Sequence, residues 1–192
     1  AGDQPAPRKS FVLDRGVYNS YLQEVKPGAL PQVFPWAQDL PRNRLGLAEW
    51  LFDPKQPLTS RVFVNRMWQG HFGEGIVQTT DDFGTQGTNP SNAPLLDYMA
   101  VEFVRSGWDI KHMHKMIVMS ATYRQSSNIT RDDLEKDPRN QYTERGPRFR
   151  LPAETIRDNA LEASGLLVKH VGGDAVFPYA PDAIWDGAAQ GV

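Results

Sequence analysis

Prolines stand at positions 27, 31, 35 and 41, a spacing that neither a helix nor a central strand tolerates. Each ring fixes φ, removes one backbone donor and turns the residue before it away from helical geometry. Residues 18–41 must therefore run extended across the surface of something else, with Val33, Phe34 and Trp36 as the anchoring contacts. The same punctuation continues along the chain, with 15 prolines and 16 glycines in 192 residues. A good share of the fold is thus ordered without regular secondary structure. Apolar patterns of helical period lie between these breaks. The expected fold is mainly α, an irregular helical domain of about five helices with long ordered loops and an extended proline-rich N-terminal arm.

Residues 1–10 are small and polar and read as a linker without the apolar core of a signal peptide. The arm occupies residues 11–41 and opens with a short strand, Phe11-Val12-Leu13, running into a turn at Asp14-Arg15-Gly16. Residues 42–171 read as the helical domain. Leu45, Leu47, Ala48, Trp50 and Leu51 form its first apolar stripe. A second helix follows a Thr59/Ser60 cap, with Val62, Phe63, Arg66, Met67 and Phe72 on its inner face. Residues 73–94 show no periodicity and read as an ordered functional loop. The clearest helix spans 94–106, where Leu95, Leu96, Met99, Ala100, Phe103 and Val104 recur at three- and four-residue steps before Gly107. Asp109 caps the next helix, whose inner face is Ile110, Met113, Met116 and Ile117, with His114 beside it and His112 toward solvent. Residues 128–150 read as a charged surface loop, 152–167 as a last helix, and 172–192 as an extended tail.

Composition removes several functions. A net charge of −2 argues against nucleic acid as a partner. No apolar run approaches the roughly 20 residues of a membrane span. Without cysteine there is no disulfide, thiolate metal site, thiol nucleophile or haem attachment, and no motif asks for a cofactor. The basic residues Arg139, Arg145, Arg148 and Arg150 read as a solvated face able to meet an acidic partner or a sulfated or uronic polymer.

The richest chemistry lies in Asn65-Arg66-Met67-Trp68-Gln69-Gly70-His71-Phe72-Gly73-Glu74-Gly75 and Thr79-Thr80-Asp81-Asp82-Phe83-Gly84. One reading is architectural: Arg66 forms a buried pair with Asp81 or Asp82, and His71 donates to a backbone carbonyl. A second is a glycosidase. Two carboxylates from Glu74, Asp81 and Asp82 act as acid and base or nucleophile with His71 nearby, while Arg66, Trp68 and Gln86 hold the sugar. A third, weaker reading is a metal site from His71, Asp81 and Asp82, for which no spaced ligand motif exists, so no metal is expected.

Longer motifs carry a resemblance. Pro41-Arg42-Asn43-Arg44-Leu45, the run from Asn65 to Gly73, Asp82-Phe83-Gly84-Thr85-Gln86-Gly87, Leu95-Leu96-Asp97-Tyr98, the run from Ser120 to Ser127, and Gly146-Pro147-Arg148-Phe149-Arg150-Leu151 belong to one pattern. From about Phe11 to Trp185 the chain resembles a planctomycete-type domain of unknown function, found toward the C-terminus of large exported proteins and often accompanied by a cytochrome c module. Where that family usually carries Thr-His-Pro, this chain reads Ser91-Asn92-Ala93, so Asn92 replaces a histidine. Family members continue past a segment like Ile184-Trp185, so the chain is expected to end inside the domain. The resemblance implies export to the periplasm or cell surface, other domains of a longer protein as partners, and a setting in polysaccharide use. The expected role is a scaffolding or recognition module, with the glycosidase of the 73–87 loop as the alternative. Homodimerisation by exchange of the apolar arm is a further expectation.

Overall fold

A computed structural model describes residues 8–174. Most of the linker and the tail beyond 174, Ile184 and Trp185 included, lie outside the described residues. The chain divides into two compact units after Phe149, so the helical stretch read over 42–171 is shared between them. The described residues form six helices and one two-stranded sheet.

The first unit opens with an antiparallel hairpin, β1 (Ser10–Leu13) and β2 (Tyr21–Val25), in the register Ser10↔Val25 and Leu13↔Tyr21. The turn at Asp14–Gly16 is a short 3-10 helix with Arg15 and Gly16 at positive φ. The second strand lies within the stretch read only as extended arm. Its β-rich composition, Tyr21-Leu22-Gln23-Glu24-Val25, precedes Pro27, the first proline of the arm, and leaves every backbone donor available.

Beyond Pro27 the arm packs on α1 (Arg44–Phe52) of its own chain. The Trp50 indole donates to the Phe34 carbonyl at 3.0 Å, and the Phe34 and Trp50 rings lie 6.3 Å apart. Trp36 donates to Leu40 O at 3.2 Å, and Arg42 to Pro27 O at 2.9 Å. Gly46 is required beneath this contact, because a Cβ there would fall on the Pro41 carbonyl and the Trp36 ring. The arm covers the Gly46 and Trp50 side of α1. Leu45, Leu47 and Leu51, read as the inner stripe, are therefore exposed.

Helix α2 (Thr59–Phe72) starts differently from the expected Thr59/Ser60 cap. The Gln56 side-chain oxygen accepts from the amides of Leu58 and Thr59, at 2.7 and 2.8 Å. Its buried face is Ser60, Val64, Met67, Trp68 and Phe72, an i, i+4, i+7, i+8, i+12 stripe, together with Asn65. Arg66 and Phe63, read as inner, are exposed, although Phe63 stacks on Phe103 at 5.1 Å. The pattern had to choose between two overlapping apolar faces, and the face bearing Trp68 packs inward.

Helix α3 (Ala93–Arg105) follows the periodicity closely. Asn92 caps it by accepting from Leu95 N at 3.1 Å, and Leu96, Met99, Ala100 and Phe103 are buried. Asp109 caps α4 (Ile110–Met119) through His112 N at 3.0 Å, with Met113 and Ile117 inside. These three helices, with Ile76 and Val77 from the intervening loop, enclose the hydrophobic core. The 128–149 segment holds a helix that charge alone hid. α5 (Arg131–Lys136) is set by a Thr130/Asp133 capping box. Arg145, expected in solvent, is buried.

The second unit contains α6 (Ala153–Ala163), entered through Pro152 and ended by Gly165 at φ 72°. None of its residues is buried.

Candidate functional site

The carboxylate loop is held from below by Asn65, which is fully buried on α2. Its amide donates to Val77 O at 2.9 Å and accepts from Val77 N at 2.8 Å, imitating a strand partner for the loop backbone. Farther along, Thr79 Oγ1 donates to Asp82 O at 2.7 Å and accepts from Thr88 N at 3.0 Å. Ser91 N then returns to Ile76 O at 2.8 Å, closing residues 76–91 into an ordered loop.

On this frame the three candidate carboxylates each have a separate partner. Arg66 and Asp81 do pair, at 3.2 Å, but in solvent rather than in the interior, with the Asp81 side chain 93% exposed. A pair so placed contributes little. Asp82 Oδ1 accepts from Gly84 N at 2.7 Å and serves the turn. Glu74 accepts from Gln78 at 3.3 Å and lines a cavity that neither Asp81 nor Asp82 lines. Glycosidase chemistry needs its two carboxyl groups roughly 5–10 Å apart across one substrate. Gln86 is exposed. Among the described residues no group of three or more His, Asp or Glu side chains could hold a metal ion.

His71 ends α2 and meets His114 of α4, Nε2 to Nδ1, at 2.8 Å, with the Tyr123 ring edge-on at 5.6 Å. His71 therefore pairs with a side chain rather than with the expected backbone carbonyl, and His114 lies exposed rather than in the core. Partial burial, and after it the charge of His114, hold the His71 imidazole below its usual 6.5. His112 pairs with Glu102 at 3.1 Å on α3.

A neutral opening on the first unit lies elsewhere. A cavity of about 610 Å³ opens between α2, α3, the end of α4 and the 142–143 segment. Trp68 lines it, stacked on Phe72 at 4.1 Å and 7% exposed, so the tryptophan serves as wall rather than as a free platform. Two tyrosines among its lining residues stay open to solvent, Tyr98 at 59% and Tyr142 at 66%. Ser120, Thr122, Gln125, Thr143 and Asn92 add hydroxyl and amide groups. Gln125 donates to the carbonyls of Thr122 and Thr143, at 3.0 and 2.9 Å, tying two walls together. Among the described residues no carboxylate, histidine, lysine or arginine lines it. Arg66, Asp81, Asp82, Glu74, His71 and Gln86 are all outside it.

Sequence reading passed over Tyr98, Tyr142 and Gln125 because uncharged side chains form no spaced motif. The available signal was Tyr98, an aromatic on α3 standing off the Leu96–Met99–Phe103 stripe.

Fold and site together define a mainly helical, loop-rich module with a neutral, hydroxyl- and aromatic-lined cavity. The chain belongs to the family described as PSD1, protein of unknown function (DUF1553), whose model matches residues 43–191. The match leaves the whole arm outside, hairpin included, where the resemblance had reached back to Phe11. No curated protein and no solved structure matches the chain.

Proposed function

We propose that this chain is a non-catalytic recognition module that binds a neutral, hydroxyl-rich ligand, a glycan segment, in the cavity between α2, α3 and α4. The observation that carries this reading is the pairing of two exposed tyrosines with uncharged polar groups around one opening. Sugar rings present an apolar face and a rim of hydroxyls. Aromatic faces cover the first, and amides and hydroxyls satisfy the second. The volume lies within the ordinary range for a small-molecule site. A lining without carboxylates favours binding over hydrolysis. The family resemblance supports a setting in an exported protein with further domains, of the kind often accompanied by a cytochrome module and linked to polysaccharide use.

Affinity electrophoresis against neutral, uronic and sulfated polysaccharides tests it, with reducing-sugar release measured on the same panel. Retardation is expected on a neutral polymer, weakened about tenfold, or 1.4 kcal/mol, in Tyr98→Ala and Tyr142→Ala. Both rings are exposed, so neither variant should change the melting temperature. Binding that ignores both substitutions overturns the cavity as the site. Sugar release lost in Asp82→Asn of unchanged melting temperature would instead establish the glycosidase.

A further inference from the structure

We propose that a second cavity, walled by Arg139, Arg145 and Arg148, binds an oxyanion, a sulfate or carboxylate group that is either free or carried on a sugar. The cavity holds about 490 Å³ and lies within the first unit. Its most buried charged group is Arg145, only 7% exposed. Nη2 donates to the carbonyls of Asp137 and Pro138, at 2.7 and 3.4 Å, while Nη1 is buried without a hydrogen-bond partner. A buried guanidinium N–H left unpaired is costly, and such an atom in a folded protein calls for an acceptor.

The nearby carboxylates are engaged elsewhere. Asp137 is buried with its oxygens accepting from the amides of Gln141 and Tyr142, at 2.9 and 3.0 Å. Asp133 feels the Arg145 charge but serves the Thr130 capping box. Glu74 lines the same cavity and is held by Gln78, and three arginines against one glutamate leave the wall net positive. Arg139 and Arg148 are exposed there and add attraction at the opening. The planar guanidinium fork matches the oxygen spacing of carboxylates and sulfates. Phe72 and Phe149 supply apolar wall for whatever carries the anion. Gly73, at φ 86°, lets the Phe149 ring close over the backbone, since a Cβ would meet it at 3.0 Å. This site shares no lining residue with the cavity assigned to neutral glycan, so either assignment stands without the other.

Amide and arginine side-chain NMR titrations at constant ionic strength, with sodium sulfate, sodium glucuronate and glucose as probes, decide the matter. Sulfate or glucuronate should saturate shifts at Gly73, Arg145 and Phe149, and glucose should leave them unmoved. Arg139→Gln and Arg148→Gln, both at exposed positions, should weaken the anion several-fold at unchanged melting temperature. Arg145→Lys, which retains the charge but not the fork, should abolish saturation. Mutual competition of the two anions identifies a sugar acid as an acceptable source, and saturation by sulfate alone identifies a free anion. Linear, unsaturable shifts, or affinities unchanged in Arg139→Gln and Arg148→Gln, overturn the proposal.

Discussion

His71 is the residue at which solution conditions act most directly on this fold. Its ring faces His114 at 2.8 Å and the edge of Tyr123, and neither neighbour offers a negative charge to a protonated imidazole. Folding therefore lowers its proton affinity, through burial first and the second histidine next. Below pH 6.5 the unfolded chain binds a proton that the folded chain resists, so unfolding free energy rises with pH through this window. The contribution is complete above 6.5 and disappears as pH falls through the lower folded value. Urea midpoints measured between about pH 7.5 and about pH 5 should thus decline, and His71→Gln should flatten the decline over that range. Asp133 acts in a separate window. Its capping hydrogen bonds lower its carboxyl below 3.8, so its contribution is present above that value and is lost only in stronger acid.

At the scale of elements, the loop between α2 and α3 depends on one buried amide. Asn65 supplies both a donor and an acceptor to Val77, and replacing it strands two backbone groups in the core. Asn65→Ala should cost about 3 kcal/mol, the sum of two modest desolvation penalties, read as a shift of the denaturant midpoint. Gly75→Ala should cost a comparable amount without removing any polar group, because the new Cβ would stand 2.6 Å from Val77 O and 2.7 Å from the Asn65 amide nitrogen. Equal stability of both variants with the parent would show that the loop is not pinned there. This contact also marks the limit of what periodicity can reveal. α3 was legible because Leu96, Met99, Ala100 and Phe103 carry the pattern and the packing on the same residues. Asp109 was legible as a cap because capping is local chemistry. Asn65 and Arg145 were not, since a polar side chain is read as exposed unless its partners are known, and those partners are backbone groups 7 to 12 residues away. The stripe of α1 misled for the opposite reason: its leucines have helical spacing but little to pack against. Charge drew attention to Asp81, Asp82 and Arg66, whereas the cavity proposed as the binding site is lined by neutral groups.

Across the whole molecule, burial is concentrated in the first unit. Every residue of the hydrophobic core belongs to α2, α3, α4 or the loop joining α2 to α3. In the second unit α6 has no buried residue, and Ile156, Leu166, Val168 and Val171 are all exposed. Amide exchange tracks how much structure must open to release each hydrogen, so the two units should separate clearly in rate. Deuterium uptake followed by mass spectrometry should leave α3 peptides among the slowest, opening only with global unfolding. Peptides from α6 should exchange orders of magnitude faster, since an 11-residue helix with no buried residue is marginal in water. The apolar residues of the second unit give the comparison a further use, because apolar surface of this kind is usually covered in a working assembly. Protection of α6 that grows with protein concentration would mean that a second copy supplies the cover. Protection that appears only when neighbouring domains of a longer chain are present would assign the cover to them. Slow exchange of α6 in the isolated chain at low concentration would contradict the exposure seen here and require its apolar face to be packed.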